Sequence, residues 1–249
     1  YFLFFALMVV SFDKVPSEGD EVAYPESITG YVNLSASSTA NSYIINQGGS
    51  YRISAVRGND ASDVLQTART AEVLWESFGS SLSLSAGALI KSVLYKDGYI
   101  CFKTNDHFKK GNAVVAAKDE SGKILWSWHI WMTDQPQEHV YKNDAGTLMD
   151  RNLGATSAAP DEYSVGLMYQ WGRKDPFMGP SSFDQNREFA KSSITWPTPV
   201  ASDPSTGTVE YAIANPTTFI TYNANNKGWY YTPSAQMTDT SWGWTDSKK

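Results

Sequence analysis

The nine residues from Ile124 to Met132, ILWSWHIWM, constrain the fold of this chain more than any other segment. Side chains alternate between the two faces of an extended strand, so residues of this run divide into two sets. One face carries Trp126, Trp128 and Ile130, and the other carries Leu125, Ser127, His129 and Trp131. Because both faces are largely apolar, protein has to cover the strand on both sides. The run predicts a central strand, or one at a junction with a second domain.

Residues 28–136 are predicted to form an immunoglobulin-like β-sandwich. Short β-branched or aromatic runs, separated by Gly, Asn, Asp and Ser, predict strands at 71–75, 89–95, 99–103, 113–118 and 123–132. Turns are predicted at 96–98 and 119–122, and a hairpin is predicted to join 42–45 to 51–56 through 46–49. No helical periodicity persists here, so the first half is expected to contain mainly strands.

The second half, residues 137–249, is rich in Thr, Pro and Asn, with scattered Trp and Tyr residues. Such a loop-heavy composition needs buried aromatic rings to hold the loops in place. The run from Asp184 to Ser193 predicts one short helix, with Asp184 as its cap and Pro197 following its end. We therefore expect a mainly β protein whose second domain is a loop-rich α+β unit.

The N-terminal residues 1–12, YFLFFALMVVSF, are an apolar run that ends at Asp13. A membrane-spanning helix needs about 20 such residues, so the run fits the apolar part of a signal peptide. We expect residues 1–12 to be a signal-peptide remnant, residues 13–27 a linker, and the true start to be missing. Phe12 stands where a bacterial lipoprotein would carry its lipidated Cys. The alternative is a buried first strand or helix.

Charge and cysteine content exclude several classes of protein. The net charge of -6 and the scattered Lys and Arg residues argue against nucleic acid as a partner. The single cysteine, Cys101, rules out an internal disulfide and a cysteine-based metal cage. Its place in an alternating run predicts a small buried strand residue.

Candidate chemistry is sparse in this sequence. Potential acids at Asp150, Asp161, Glu162, Asp175, Asp184 and Glu188 have no partner at an informative spacing, so turn or surface roles are favoured. The tryptophans of the 124–132 run suit core packing better than a sugar-stacking platform. His129 is interpreted as a hydrogen-bonded core residue, because His107 and His139 are not at metal-ligand spacing. No cofactor is expected, and a loop-bound calcium ion stays open.

Two charged clusters are interpreted as structural. Asp150, Arg151 and Asn152 are predicted to form an ion pair and an Asx turn at the start of the second domain. Arg173 is predicted to stack near Trp171, and Asp175 to cap the turn into Pro176.

Four segments carry a resemblance to a known family: 40–45 (ANSYII), 111–131, 149–155 (MDRNLGA) and 166–177 (GLMYQWGRKDPF). From Val32 onward the chain resembles fimbrillin-family surface proteins of Bacteroides and relatives, or proteins with a Fibrobacter succinogenes major paralogous (FISUMP) domain. The residues that carry the family signature are Trp126, Trp128, His129, Trp131, Asp150, Arg151, Asn152, Tyr169, Trp171, Arg173 and Asp175.

The resemblance implies a non-enzymatic, exported protein of the outer membrane or cell surface, often lipid-anchored, that takes part in adhesion or associates with fimbriae. Its implied partners are other fimbrial or surface proteins, or host and dietary glycans. The second domain also distantly resembles the C-type-lectin-like fold of formylglycine-generating enzymes, without their cysteine chemistry. Family members continue with a Cys-Pro-x-Gly-Trp-like stretch, so we expect this domain to be truncated. The alternative function is glycan capture by a carbohydrate-binding lipoprotein, using Trp229, Tyr230 and Tyr231 as exposed rings.

Overall fold

The computed structural model describes residues 27–179, 189–222 and 228–231. Strands predominate and the helices are short, so the predicted mainly β class is confirmed. The strands of the first half are β1 (Val32–Asn33), β2 (Ser42–Ile45), β3 (Ser50–Ser54), β4 (Thr70–Ser77), β5 (Ile90–Lys96), β6 (Tyr99–Thr104), β7 (Gly111–Lys118) and β8 (Ile124–Met132).

These eight strands form two four-stranded sheets, in the orders β1-β3-β6-β5 and β2-β8-β7-β4. The β1–β3 and β2–β8 pairs are parallel, and the other four pairs are antiparallel. Buried side chains of both sheets belong to a single core, among them Ile53 and Phe102 from the first sheet and Val115 and Ile130 from the second. The two sheets therefore bury their apolar faces together.

The predicted hairpin between 42–45 and 51–56 is wrong, because β2 and β3 belong to different sheets. β2 pairs with β8, and β3 pairs with β6 and β1. The connecting segment 46–49 crosses from one sheet to the other, and Tyr43 and Ile53 pack into the same core from the two sides. Alternating strands around a glycine-containing connector look the same in sequence whether the chain turns within a sheet or crosses between sheets.

The prediction of a central strand at 124–132 is confirmed, since β8 lies between β2 and β7. On its inner face, Trp128, Ile130 and Met132 join the core. On its outer face, Ser127, His129 and Trp131 are also buried. Cys101, on β6, is a buried strand residue that is 1% exposed, as predicted.

The described part of the second half consists of short elements. Its strands are β9 (Glu138–Val140), β10 (Thr147–Met149), β11 (Leu167–Tyr169), β12 (Pro176–Met178), β13 (Val200–Ala201) and β14 (Ile220–Thr221), which pair as β9–β10, β11–β12 and β13–β14. Single 3₁₀ turns cover Lys142–Asp144 and Glu162–Ser164.

The helix predicted at 184–193 is not seen in its described part, because residues 189–193 are not helical. Residues 184–188 lie outside the described residues. One α-helix, α1 (Val209–Ala214), occurs instead after Thr208, whose side chain accepts a hydrogen bond from the Tyr211 amide at 3.1 Å. That hydrogen bond satisfies one of the amides left free at a helix N-terminus.

The predicted signal-peptide remnant, residues 1–12, lies outside the described residues, as does the linker apart from Ser27. Within the described ranges, no helix has the length and apolar character needed to cross a membrane.

Candidate functional site

A buried charge cluster forms where the 173–175 segment meets the outer face of β8. The Lys174 Nζ lies 2.5 Å from Asp175 Oδ1 and donates to the Ser127 hydroxyl at 2.5 Å and the Ser127 carbonyl at 3.1 Å. The Ser127 hydroxyl in turn donates to Asp175 Oδ1 at 2.7 Å. Burial lowers the pKa of Lys174, and the neighbouring Asp175 carboxylate opposes that shift. Three polar groups thus satisfy one another and attach the second half to β8.

Arg173 extends this cluster into the second half. Its guanidinium donates to the Gln170 side chain at 2.7 Å and to the carbonyls of Thr218 at 2.9 Å and Asn215 at 3.2 Å. It lies over the rings of Phe177 and Trp229, at 5.2 and 5.8 Å from their centroids. Burial lowers the pKa of Arg173.

Two details of the predicted 171–176 arrangement are corrected. The rings that Arg173 contacts are those of Phe177 and Trp229, whereas stacking near Trp171 was predicted. The carboxylate of Asp175 accepts from Lys174 and Ser127, where a turn cap was predicted. Phe177, Trp229 and Ser127 lie on other elements, so the immediate sequence neighbours of Arg173 and Asp175 gave no indication of these contacts.

The ion pair predicted for Asp150 and Arg151 is confirmed. Arg151 Nε and a terminal nitrogen donate to the two Asp150 oxygens at 2.8 and 3.0 Å, and Arg151 also donates to Asp134. Hydrogen bonds from Arg151 hold the pKa values of Asp150 and Asp134 below their usual range. The predicted Asx turn is replaced by bonds from the Asn152 amide to the Ser164 and Val165 carbonyls.

His129 is a hydrogen-bonded core residue, as predicted. Its Nε2 lies 2.8 Å from Asn112 Oδ1, and its Nδ1 lies 3.0 Å from the Ser42 hydroxyl. The Asn112 amide nitrogen donates to the Gly154 carbonyl, so its oxygen is the end that accepts from His129. Burial lowers the pKa of His129 to about 3, and the ring is neutral at physiological pH.

The core role predicted for the β8 tryptophans holds for Trp128 and Trp131, which are each 1% exposed. The indole of Trp131 donates to the Ala155 carbonyl at 3.0 Å. Trp126 is only partly buried, and the Lys174 ammonium lies 4.5 Å from its ring centroid. Tyr169, another signature residue, lies on β11, where burial raises the pKa of its hydroxyl.

The three rings expected to contact a ligand differ in exposure. Trp229 is 7% exposed, so the prediction that it is an exposed ring is wrong. Its indole donates to the Trp171 carbonyl at 2.6 Å, which holds it beneath Arg173. Tyr230 is 42% exposed, and Tyr231 is partly buried with its amide bonded to the Gly207 carbonyl.

A pocket of about 330 Å³ lies beside the charge cluster, between the two halves of the chain. The first half contributes Asn41 and Trp126 to its wall. The second half contributes Gly172, Arg173, Lys174, Asp175, Val209, Ala212, Ile213, Trp229 and Tyr230. Its volume is at the lower end of the range for small-molecule sites, roughly 300–1,000 Å³. This pocket is the candidate functional site.

The other carboxylates considered in sequence have local roles where the structure describes them. Asp161 accepts from the Tyr163 amide at 2.9 Å and so caps a 3₁₀ turn. Glu162 accepts from the Ser81 hydroxyl at 3.2 Å. Asp184 and Glu188 lie outside the described residues.

Sequence reasoning missed Glu76, Asn41 and Lys174. Glu76 is fully buried and accepts from the amides of Gly87, Leu89 and Ile90. A charged residue directly after Trp75 in a strand was the available signal, but its partners come from a loop that only the fold brings close. Lys174 reaches Ser127, and Asn41 lines the pocket, only because the fold brings distant segments together.

Comparison of the chain with protein-family models, with curated proteins and with solved structures finds no match. Function is therefore inferred from the charge cluster, the pocket and the sequence patterns described above.

Proposed function

We propose that this protein is a non-enzymatic adhesin or fimbria-associated protein of the cell surface. In this proposal the two four-stranded sheets form an immunoglobulin-like sandwich, and the loop-rich region that follows it is displayed outward. The observation that carries the proposal is the bonding of the 173–175 segment. Lys174 and Asp175 attach the second half to Ser127 of β8, and Arg173 binds backbone carbonyls within the second half.

The bonding of these residues favours a structural role over acid–base chemistry. A general acid or base has to exchange a proton with substrate, and its pKa has to suit that exchange. The Asp175 carboxylate accepts from Ser127 and Lys174, and the Lys174 ammonium uses its three donor positions on Ser127 and Asp175. Because the Asp175 carboxylate and the Lys174 ammonium bind each other and Ser127, they stabilise the interface between the two halves of the chain.

The proposed location is the outer membrane or cell surface. It is supported by the apolar run at residues 1–12, by the low charge, and by the fimbrillin and FISUMP resemblance of the segments quoted above. The proposed partners are other fimbrial or surface proteins.

Two measurements test this proposal. Protease treatment and antibody labelling of intact cells of the source organism should reach the protein without lysis, and beads coated with the purified chain should adhere to protein-coated surfaces. Labelling only after lysis would contradict the location. Release of sugars from a polysaccharide, lost in a folded Asp175→Asn variant, would contradict the non-enzymatic assignment.

Glycan capture is the second candidate, and the pocket beside Trp126 and Tyr230 favours it. Aromatic rings in a concave site bind the apolar faces of sugars, and Tyr230 is the more exposed of the wall's C-terminal rings. Glycan-array binding that is lost in Tyr230→Ala would support this candidate. Tyr222→Ala is the matched control, since Tyr222 is 72% exposed and lies outside the pocket wall.

A further inference from the structure

The pocket wall is mostly apolar, although three charged side chains contribute to it. Val209, Ala212 and Ile213 supply aliphatic surface, and Trp126 and Tyr230 supply aromatic surface. Contact between apolar ligand surface and this wall would therefore supply most of the binding free energy. Directional hydrogen bonds depend on the few polar atoms of the wall that can still donate or accept.

The two cations of the wall have little capacity to hold a ligand anion. The three donor positions of Lys174 are directed to the Ser127 hydroxyl, the Ser127 carbonyl and Asp175. The terminal nitrogens of Arg173 donate to Gln170 and to two backbone carbonyls. Arg173 Nε has no partner among the described residues, but it is shielded from solvent. Bidentate recognition of a carboxylate needs free, parallel N–H groups, which these side chains do not offer.

Asn41 adds a polar side chain to the wall, and its amide keeps a donor. Its Oδ1 accepts from the Trp126 indole at 3.1 Å, which assigns the oxygen and nitrogen ends of the amide. Its Nδ2 has no hydrogen-bond partner within the described ranges. An N–H donor beside aromatic surface is suited to the oxygen of a sugar hydroxyl or ring.

We infer that this pocket binds a single uncharged sugar ring, and that Asn41 is its specificity-determining donor. The sugar's apolar face packs against the aromatic and aliphatic wall, and one of its oxygens accepts from Asn41 Nδ2. The volume of about 330 Å³ suits one ring, such as the end of a glycan chain. This inference rests on the glycan-capture candidate and narrows it to a ligand class and a recognising residue.

Asn41→Asp is a sharp test, because it retains the oxygen that accepts from Trp126 and replaces the NH₂ donor with a charged oxygen that can only accept. Asn46→Asp makes the same change of charge at an exposed position outside the pocket wall and is the matched control. The full chain is titrated by saturation-transfer NMR with neutral methyl pyranosides and with methyl β-D-glucuronide. We expect a neutral pyranoside to bind, and Asn41→Asp to weaken it roughly tenfold or more, with Asn46→Asp unchanged.

Each outcome has a distinct meaning. Neutral binding that both Asn41→Asp and Tyr230→Ala leave unchanged would keep glycan capture but overturn this site. Tighter binding of the glucuronide than of every neutral pyranoside would overturn the uncharged class. No binding of any sugar up to about 10 mM would overturn the inference together with the glycan-capture candidate. Thermal unfolding of each variant checks the fold, and Tyr230→Ala supplies the binding test if Asn41→Asp is unfolded.

Discussion

Replacing the buried Glu76 with Gln should destabilise the protein strongly, although the two side chains have nearly the same shape. Glu76 Oε1 accepts from the amides of Leu89 and Ile90 at 2.8 and 2.6 Å, and Oε2 accepts from Gly87 at 2.6 Å. The carboxylate thus fastens the start of β5 and the residues before it to β4. Because Glu76 is 0% exposed, water cannot replace a lost partner.

The expected loss follows from the three hydrogen bonds. Each bond to a charged group contributes about 1.5–3 kcal/mol net. A glutamine oxygen in place of Oε1 keeps two bonds without the charge, while its NH₂ group would face the Gly87 amide, donor against donor. Loss of one bond and weakening of two gives about 3 kcal/mol. Glu72→Gln, on the same strand but 44% exposed and paired with Lys118, should cost less than about 1 kcal/mol.

Urea unfolding followed by tryptophan fluorescence measures the difference between the two variants. Both should unfold with the slope of the unmodified protein, and only Glu76→Gln should have a much lower midpoint. Amide exchange supplies a local readout, since Gly87, Leu89 and Ile90 should exchange faster in Glu76→Gln. Free energies of unfolding that agree within about 0.5 kcal/mol for the two variants would refute the assignment of Glu76 as the buried acceptor of these amides.

Three further predictions concern His129, Gly154 and Lys174. Burial lowers the pKa of His129 to about 3, so the unfolded chain binds a proton before the folded chain does as the pH falls. The contribution of His129 to the free energy of unfolding is therefore fully present above pH 6.5 and is lost progressively below it. Urea titrations from pH 7 to 5 should show a slope approaching 1.4 kcal/mol per pH unit, and a flat profile would contradict this. Gly154→Ala should lower the free energy of unfolding more than Gly122→Ala in the same assay. Both glycines have a φ near +85°, but only at Gly154 would an added methyl carbon lie 2.5 Å from a leucine side chain. Equal decreases for the two variants would contradict this clash. Lys174→Met should cost about 3 kcal/mol by removing the nearer cation of the buried Asp175 carboxylate, whose other ion-pair partner, Arg173, lies 3.9 Å away. Adding Asp175→Asn should restore part of that loss, and no recovery in the double variant would contradict the pairing.

Strand positions in the first half could be predicted because local turn chemistry marks them. The β5–β6 turn contains Asp97 and Gly98, both at positive φ, and the β7–β8 turn contains Asp119, whose side chain accepts from the Ser121 and Lys123 amides. Each turn joins neighbours in one sheet, so sequence order and spatial order agree. No comparable local signal exists for β2, whose partner β8 follows it by more than 80 residues.

The candidate site shows the same limit. Asp150 and Arg151 are adjacent in sequence, and their predicted ion pair is present. The burial of Trp229 depends on Arg173 and on the Trp171 carbonyl, more than 50 residues earlier, so its sequence neighbours gave no indication of it. A pocket whose wall begins at Asn41 and ends at Tyr230 likewise has no sequence pattern of its own.

The two faces of β8 explain why its sequence is apolar on both sides yet interrupted by Ser127 and His129. The inner face meets only side chains of the core, where shape matters and polar atoms are costly. The outer face meets backbone and charged groups, so each of its polar atoms has a distant partner. Ser127 bonds to Asp175, His129 reaches Gly154 through Asn112, and Trp131 bonds to Ala155. Since leaving a buried polar atom without its partner costs about 1–3 kcal/mol, these bonds favour one position of the second half on the sheet. The pocket between the halves exists because that position is fixed.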